Sequence, residues 1–110
     1  MKYNPHSWPA SWILSLIGSG CLHDFYISPQ WRRVRDRVLR EQHGECQDCA
    51  KRGRVVKATT VHHEHPLRQR PDLALSLVDE RGKRQLTAIC ESCHWNRHHK
   101  KRAILTQERW

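Results

Sequence analysis

Two Cys-x-x-Cys pairs, Cys46/Cys49 and Cys90/Cys93, constrain this chain more than any other feature. A tight turn carrying such a pair aims two thiols at one point, so two turns together complete a tetrahedral zinc site. The same residues also suit a disulfide framework. Secreted frameworks, however, seldom use isolated Cys-x-x-Cys pairs with a thiol to spare, here Cys21. Structural zinc is the preferred reading, and the reduced thiols it needs imply a cytoplasmic protein. A chain of 110 residues with 37% hydrophobic content has use for such a staple. At that length one domain is expected, burying only about 60–70% of its unfolded surface. No apolar run approaches the roughly 20 residues of a membrane span, which excludes an integral membrane protein of that kind.

Charge points to the partner. The chain has 20 Lys and Arg against 11 Asp and Glu, a formal net charge of +9. An excess of that size suits an anionic partner, and nucleic acid is the usual one when basic residues cluster on elements that can follow a phosphate backbone. A positive, solvated surface with no partner is the bland alternative.

Ser28-Pro29 reads as the start of a helix, with Ser as cap and Pro in the first turn. Trp31, Val34, Val38 and Leu39 form its apolar stripe, and Gly44 ends it. Residues 54–61 are rich in β-branched side chains and predict a strand running into His62-His63, while residues 85–89 predict a second strand ending at Cys90. Pro71-Asp72-Leu73 suggests a turn of helix, and a final helix is expected from Cys93 to about Leu105. Upstream, residues 12–17 are apolar and precede Gly18-Ser19-Gly20-Cys21, a faint likeness to a lipoprotein signal. The apolar run is short, however, has only Lys2 ahead of it, and has Gly18 where that signal wants a Leu-like residue. A short helix or hairpin packed on the domain is the preferred reading there.

Six of nine histidines fall in two groups, His62, His63, His65 and His94, His98, His99. His94 and His98 are four residues apart on the last helix, hence on one face, and that pair can clamp a cation. His62 and His63 are neighbours on a strand and point to opposite sides, so one can face a metal and the other a water. His65 and His99 read as surface residues or phosphate contacts; His6, His23 and His43 carry no motif.

The ordered pieces resemble the HNH endonucleases, in particular the small phage-type enzymes. They are Phe25-Tyr26-x-Ser28-x-x-Trp31-Arg32-x-x-Arg35, Cys46-x-x-Cys49, Val61-His62-His63-x-x-Pro66 and Leu86-x-x-Ile89-Cys90-x-x-Cys93-His94-x-x-x-His98. The likeness covers residues 25–100 and implies an α+β fold: a ββα-metal finger of two antiparallel strands and a helix, with flanking helices, stapled by the four-cysteine zinc. Residues 25–110 would be the nuclease domain and residues 1–24 an extension of unknown role.

By position the resemblance makes His62, His94 and His98 ligands of a catalytic divalent cation and His63 the general base. Gln85 stands where the family has an Asn that holds the loop and the base in place. Gln offers the same donor and acceptor with one more methylene. Arg32, Arg35, Arg97, Lys100 and Lys101 are the expected phosphate contacts.

The implied activity is metal-dependent hydrolysis of DNA phosphodiesters, nicking or cutting the duplex with weak sequence preference, since no separate base-reading module is present. Mg²⁺, Mn²⁺ and Ni²⁺ are all candidate cations. The resemblance implies a role in phage genome processing or packaging, beside terminase and portal machinery in the host cytoplasm, with a stand-alone restriction or homing role as the alternative. The rival is a zinc-stapled DNA-binding module whose site is inactive, with Gln85 as its best support.

Overall fold

Ser28 opens helix α3 (Pro29–Glu41) as the sequence predicts: its hydroxyl accepts from the Trp31 amide at 3.2 Å, and Pro29 fills the first turn. Such a cap is worth about 1 kcal/mol. One face of α3 buries Trp31 and Val38, and its other faces carry arginines. The computed structural model describes residues 3–98. Before α3 come α1 (Ala10–Ser19) and the single turn α2 (His23–Tyr26); after it comes α4 (Gln47–Lys51), which starts just after Cys46 and contains Cys49. Strands β1 (Thr60–His63) and β2 (Leu86–Ile89) follow, separated by a 3-10 turn at Pro71–Leu73. A last helix, α5, occupies residues 91–98 of the described chain. Its expected continuation to Leu105 lies outside the described residues.

The strands pair antiparallel with Thr60 opposite Ile89, Val61 opposite Ala88, His62 opposite Thr87 and His63 opposite Leu86. Alternation then sorts the ribbon into two faces. Val61, Leu86 and Ala88 look into the main core with Ile13, Phe25, Trp31 and Val38, while Ile89 joins the cysteines in a second, smaller cluster. His62 sits on the face toward α5, its ring 5.5 Å from those of His94 and His98. The observed architecture is the α+β arrangement expected: two antiparallel strands, a helix across them, and flanking helices.

One expectation shifts. The strand predicted over residues 54–61 begins only at Thr60, because its first half pairs elsewhere: Cys46 donates to the Val56 carbonyl at 2.7 Å and Ala58 to the Gly44 carbonyl at 2.8 Å. Backbone that looked free to extend β1 instead laces the first cysteine turn. Within residues 1–24 the helix α1 packs on the domain, in line with the short packed element read from the sequence. Ile13 is fully buried in the main core, with Trp12, Leu16 and Ile17 packed against it, so α1 and α3 share one core.

Candidate metal centre and active site

Each Cys-x-x-Cys pair occupies the start of a helix. Cys46 caps α4, its Sγ accepting from the Cys49 amide at 3.4 Å, and Cys90 and Cys93 flank the first turn of α5. Cys49 Sγ lies 3.9 Å from Cys90 Sγ and 3.7 Å from Cys93 Sγ, and the four sulfurs all fall within 4.8 Å of one another. These separations exclude disulfide bonds, which need about 2.05 Å. They match the edge of a tetrahedron with Zn–S bonds of about 2.3 Å, roughly 3.8 Å. Burial, followed by the neighbouring thiols, pushes Cys93 up to about 12. At Cys46 burial is outweighed by hydrogen bonds from the Cys49 and Cys90 backbone, which bring the thiol down to about 7. The cluster thus holds one thiol close to ionising, the form a soft divalent cation binds. Arg52 adds positive charge from outside, its Nη2 3.2 Å from Cys93 Sγ and 3.8 Å from Cys49 Sγ. Cys21 stands apart and exposed.

The second cluster is made of imidazoles. His62 arrives from β1, and His94 and His98 from successive turns of α5; one ring nitrogen of each lies within 4.8 Å of the others. The Nε2 atoms of His94 and His98 are 3.0 Å apart. Burial lowers the His62 pKa to about 4, opposed by Glu64 and helped by Arg97 and the two other histidines. His94 is lowered by burial first, then by His98 and Arg97. These rings stay neutral, so their lone pairs are free to ligate. Three converging imidazoles suit a borderline divalent cation, with its remaining positions open to oxygen donors.

His63 points the other way, into an aromatic wall. Its ring stacks on Trp31 at 4.8 Å between centroids and 25° between planes, and Phe25 and Tyr26 complete the surround. Its Nε2 lies 3.0 Å from the Ala74 carbonyl oxygen. A carbonyl only accepts, so Nε2 carries the proton and Nδ1 keeps the lone pair. Burial lowers the His63 pKa, partly offset by that bond, so the neutral ring is the resting form. Despite opposite orientations, His62 and His63 both line one cavity of about 670 Å³ with His94, His98, Tyr26, Arg35 and Arg68.

Gln85 holds the loop after β1. It is fully buried; its Oε1 accepts from the His65 amide and its Nε2 donates to the His65 carbonyl, both at 3.0 Å. Its own backbone carbonyl accepts from Glu64 at 2.8 Å. Three bonds therefore fix the two residues that follow His63.

The expected phosphate contacts divide. Arg35 lines the cavity, and Arg32 is exposed on α3. Arg97 is turned away from any external anion: Asp48 and Glu64 both bind its guanidinium at 2.7 Å. Lys100 and Lys101 lie outside the described residues. His65 pairs with Asp79 at 3.3 Å. Sequence reasoning passed over Arg68, the Ala74 carbonyl and Glu64. Glu64 was findable, since alternation puts it on the side of His62; a backbone carbonyl eleven residues from its partner leaves no sequence signal.

In fold the chain is similar to the HNH endonuclease of the deep-sea thermophilic bacteriophage GVE2, whose crystal structure contains a manganese ion. The two superpose with a TM-score of 0.65 at 23% identity, over 89% of this chain and 98% of the phage enzyme. The chain has the HNH endonuclease fold. No protein-family model matches the chain, and no curated protein is similar to it in sequence.

Proposed function

We propose that this HNH-fold chain is a metal-dependent endonuclease that hydrolyses DNA phosphodiesters, leaving 5′-phosphate and 3′-hydroxyl ends. One observation carries the reading. A neutral histidine with a single free nitrogen, His63, shares a cavity with three histidines able to hold a cation, His62, His94 and His98. A divalent cation bound there supplies the positive charge that neutralises the scissile phosphate and the departing oxygen.

The chain's residues do the rest. His63 Nδ1 takes a proton from the attacking water, and the Ala74 carbonyl, accepting from Nε2, steadies the imidazolium that results. Trp31 holds the ring plane. Gln85 fixes the backbone beyond His63 through His65 and fills the place of the family's Asn, which weakens the rival reading of an inactive binding module. Arg35 and Arg68 at the cavity, Arg32 on the exposed side of α3, and Lys100 and Lys101 form the phosphate-binding set. Contacts of this kind position a duplex without reading its bases, hence weak sequence preference. Cys46, Cys49, Cys90 and Cys93 hold a structural zinc, whose reduced thiols fit a cytoplasmic setting. The likeness to a bacteriophage enzyme supports a place in phage genome processing or packaging, alongside terminase and portal components.

The test is plasmid cleavage by zinc-loaded protein in Mg²⁺, Mn²⁺ or Ni²⁺, beside His63→Ala. Wild type should nick or linearise the plasmid with at least one cation. The variant should bind DNA as well as wild type and lose activity by about 10²–10⁴-fold, the contribution of a positioned base. Binding without cleavage in every metal refutes the enzyme and leaves the binding module. Cleavage that survives His63→Ala refutes the base.

A further inference from the structure

Arg97 lies on α5 between His94 and His98, where the sequence suggested a phosphate contact. Its side chain is occupied instead. Nε and Nη2 bind the Asp48 carboxylate at 2.8 and 2.7 Å, and Nη1 binds both oxygens of Glu64 at 2.7 and 2.8 Å. Glu64 is tied again by the Thr87 hydroxyl at 2.8 Å, so it is anchored to β2 as well. The Arg97 side chain is only 23% exposed. A DNA phosphate would have to displace two charged, directional partners to reach it.

The three places joined are those that carry the ligand-type residues. Asp48 sits in α4 between Cys46 and Cys49; Glu64 directly follows His62-His63; Arg97 itself rides on the helix that presents Cys93, His94 and His98. The histidine cluster depends on how α5 is set against β1, because His62 belongs to the strand and the other two to the helix. Backbone pairing fixes β1 to β2 but does not fix the rotation of α5 over the ribbon. Cys90 and Cys93 pin the start of α5; Arg97, a turn further on, pins the part that carries His98. A planar guanidinium that forks between two carboxylates sets both distance and angle, which a single ammonium cannot do.

We propose that Arg97 is a positioning residue that locks α5 to both the cysteine knuckle and β1, so that His94 and His98 meet His62. The inference rests on the reading of those three histidines as a cation site. It assigns Arg97 no contact with DNA, and it makes the order of the cysteine knuckle a condition for the histidine site through Asp48.

Zinc-loaded full-length protein is titrated with Ni²⁺ by calorimetry, and the visible spectrum of added Co²⁺ reports ligand geometry. Binding of a short duplex is measured across a salt series without divalent cation. Arg97→Met should weaken Ni²⁺ by about tenfold, the low end of what loss of a supporting contact costs a metal site. It should also alter the Co²⁺ bands while leaving the salt slope of DNA binding unchanged. Arg97→Lys, which keeps the charge and loses the fork, should resemble Arg97→Met.

A salt slope lower by about one, with full rescue by Lys and unchanged Ni²⁺ affinity, marks an ordinary phosphate contact and overturns the inference. Where Arg97→Met fails to fold, Asp48→Asn carries the test: it should weaken Ni²⁺ in the same direction, and unchanged affinity overturns the inference. Wild type that binds no Ni²⁺ beyond its cysteine site overturns the cation-site reading and this inference together. Wild-type binding matched by the variants overturns this inference alone.

Discussion

Gln85→Asn installs the residue type that the HNH pattern carries at this position, and it should harm this protein. The Gln85 amide reaches the His65 backbone with two bonds of 3.0 Å from a fully buried side chain. Removing one methylene draws the amide back by about 1.5 Å, one C–C bond. Neither bond survives that retreat unless a strand or the loop moves. Two neutral hydrogen bonds are worth about 1 kcal/mol each, and the lost methylene about 0.8 kcal/mol. The half-exposed loop at His65 can recruit water, which trims the sum to roughly 2 kcal/mol. For a domain near 100 residues that is a fall in Tm of about 8–16 °C.

The assay is thermal unfolding of wild type, Gln85→Asn and Gln85→Leu at matched zinc content, with plasmid nicking on the same samples. Gln85→Leu keeps the volume and removes both bonds, so it should show the hydrogen-bond part of that loss without the methylene part and fall no further than Gln85→Asn. Nicking should fall in both, since the backbone after His63 is no longer held. A Gln85→Asn protein as stable as wild type, or more active, refutes the argument that this loop is fitted to the longer amide.

Two further outcomes follow from packing and charge. Ile13→Ala empties a fully buried site in the main core and should destabilise the protein by about 2–5 kcal/mol in denaturant melts; a change below 1 kcal/mol would mean that α1 is an appendage. Arg52→Gln removes the cation that donates to the Cys93 and Cys49 sulfurs, and zinc release to a colorimetric chelator should be on the order of tenfold faster. An unchanged release rate would show that Arg52 lends the thiolates nothing.

Residue spacing disclosed much of the site. Cys46, Cys49, Cys90 and Cys93 were legible because each pair is local, a turn that needs no tertiary knowledge, and two such pairs have one economical use. His94 and His98 were legible from helical periodicity, and the opposed directions of His62 and His63 from strand alternation. Arg97 was misread for the converse reason: its partners are 49 and 33 residues away, and nothing in a local window distinguishes a solvated arginine from one held by Asp48 and Glu64. The early half of the predicted strand failed similarly, because β-branched residues favour extended backbone without saying which neighbour receives its hydrogen bonds.

The sequence by itself determined the residue types of the two candidate clusters, the start of α3 at Ser28 and the parity of the two adjacent histidines, since these depend on covalent spacing and on side-chain chemistry. Only the tertiary structure decided which ring nitrogen of His63 is free, because the Ala74 carbonyl that claims the other belongs to a distant turn. It alone decided that Gln85 can span the gap to His65, a matter of one methylene against the distance between a strand and a loop. And it alone turned Arg97 inward, because charge is written in the sequence while the partner that neutralises it is chosen by the fold.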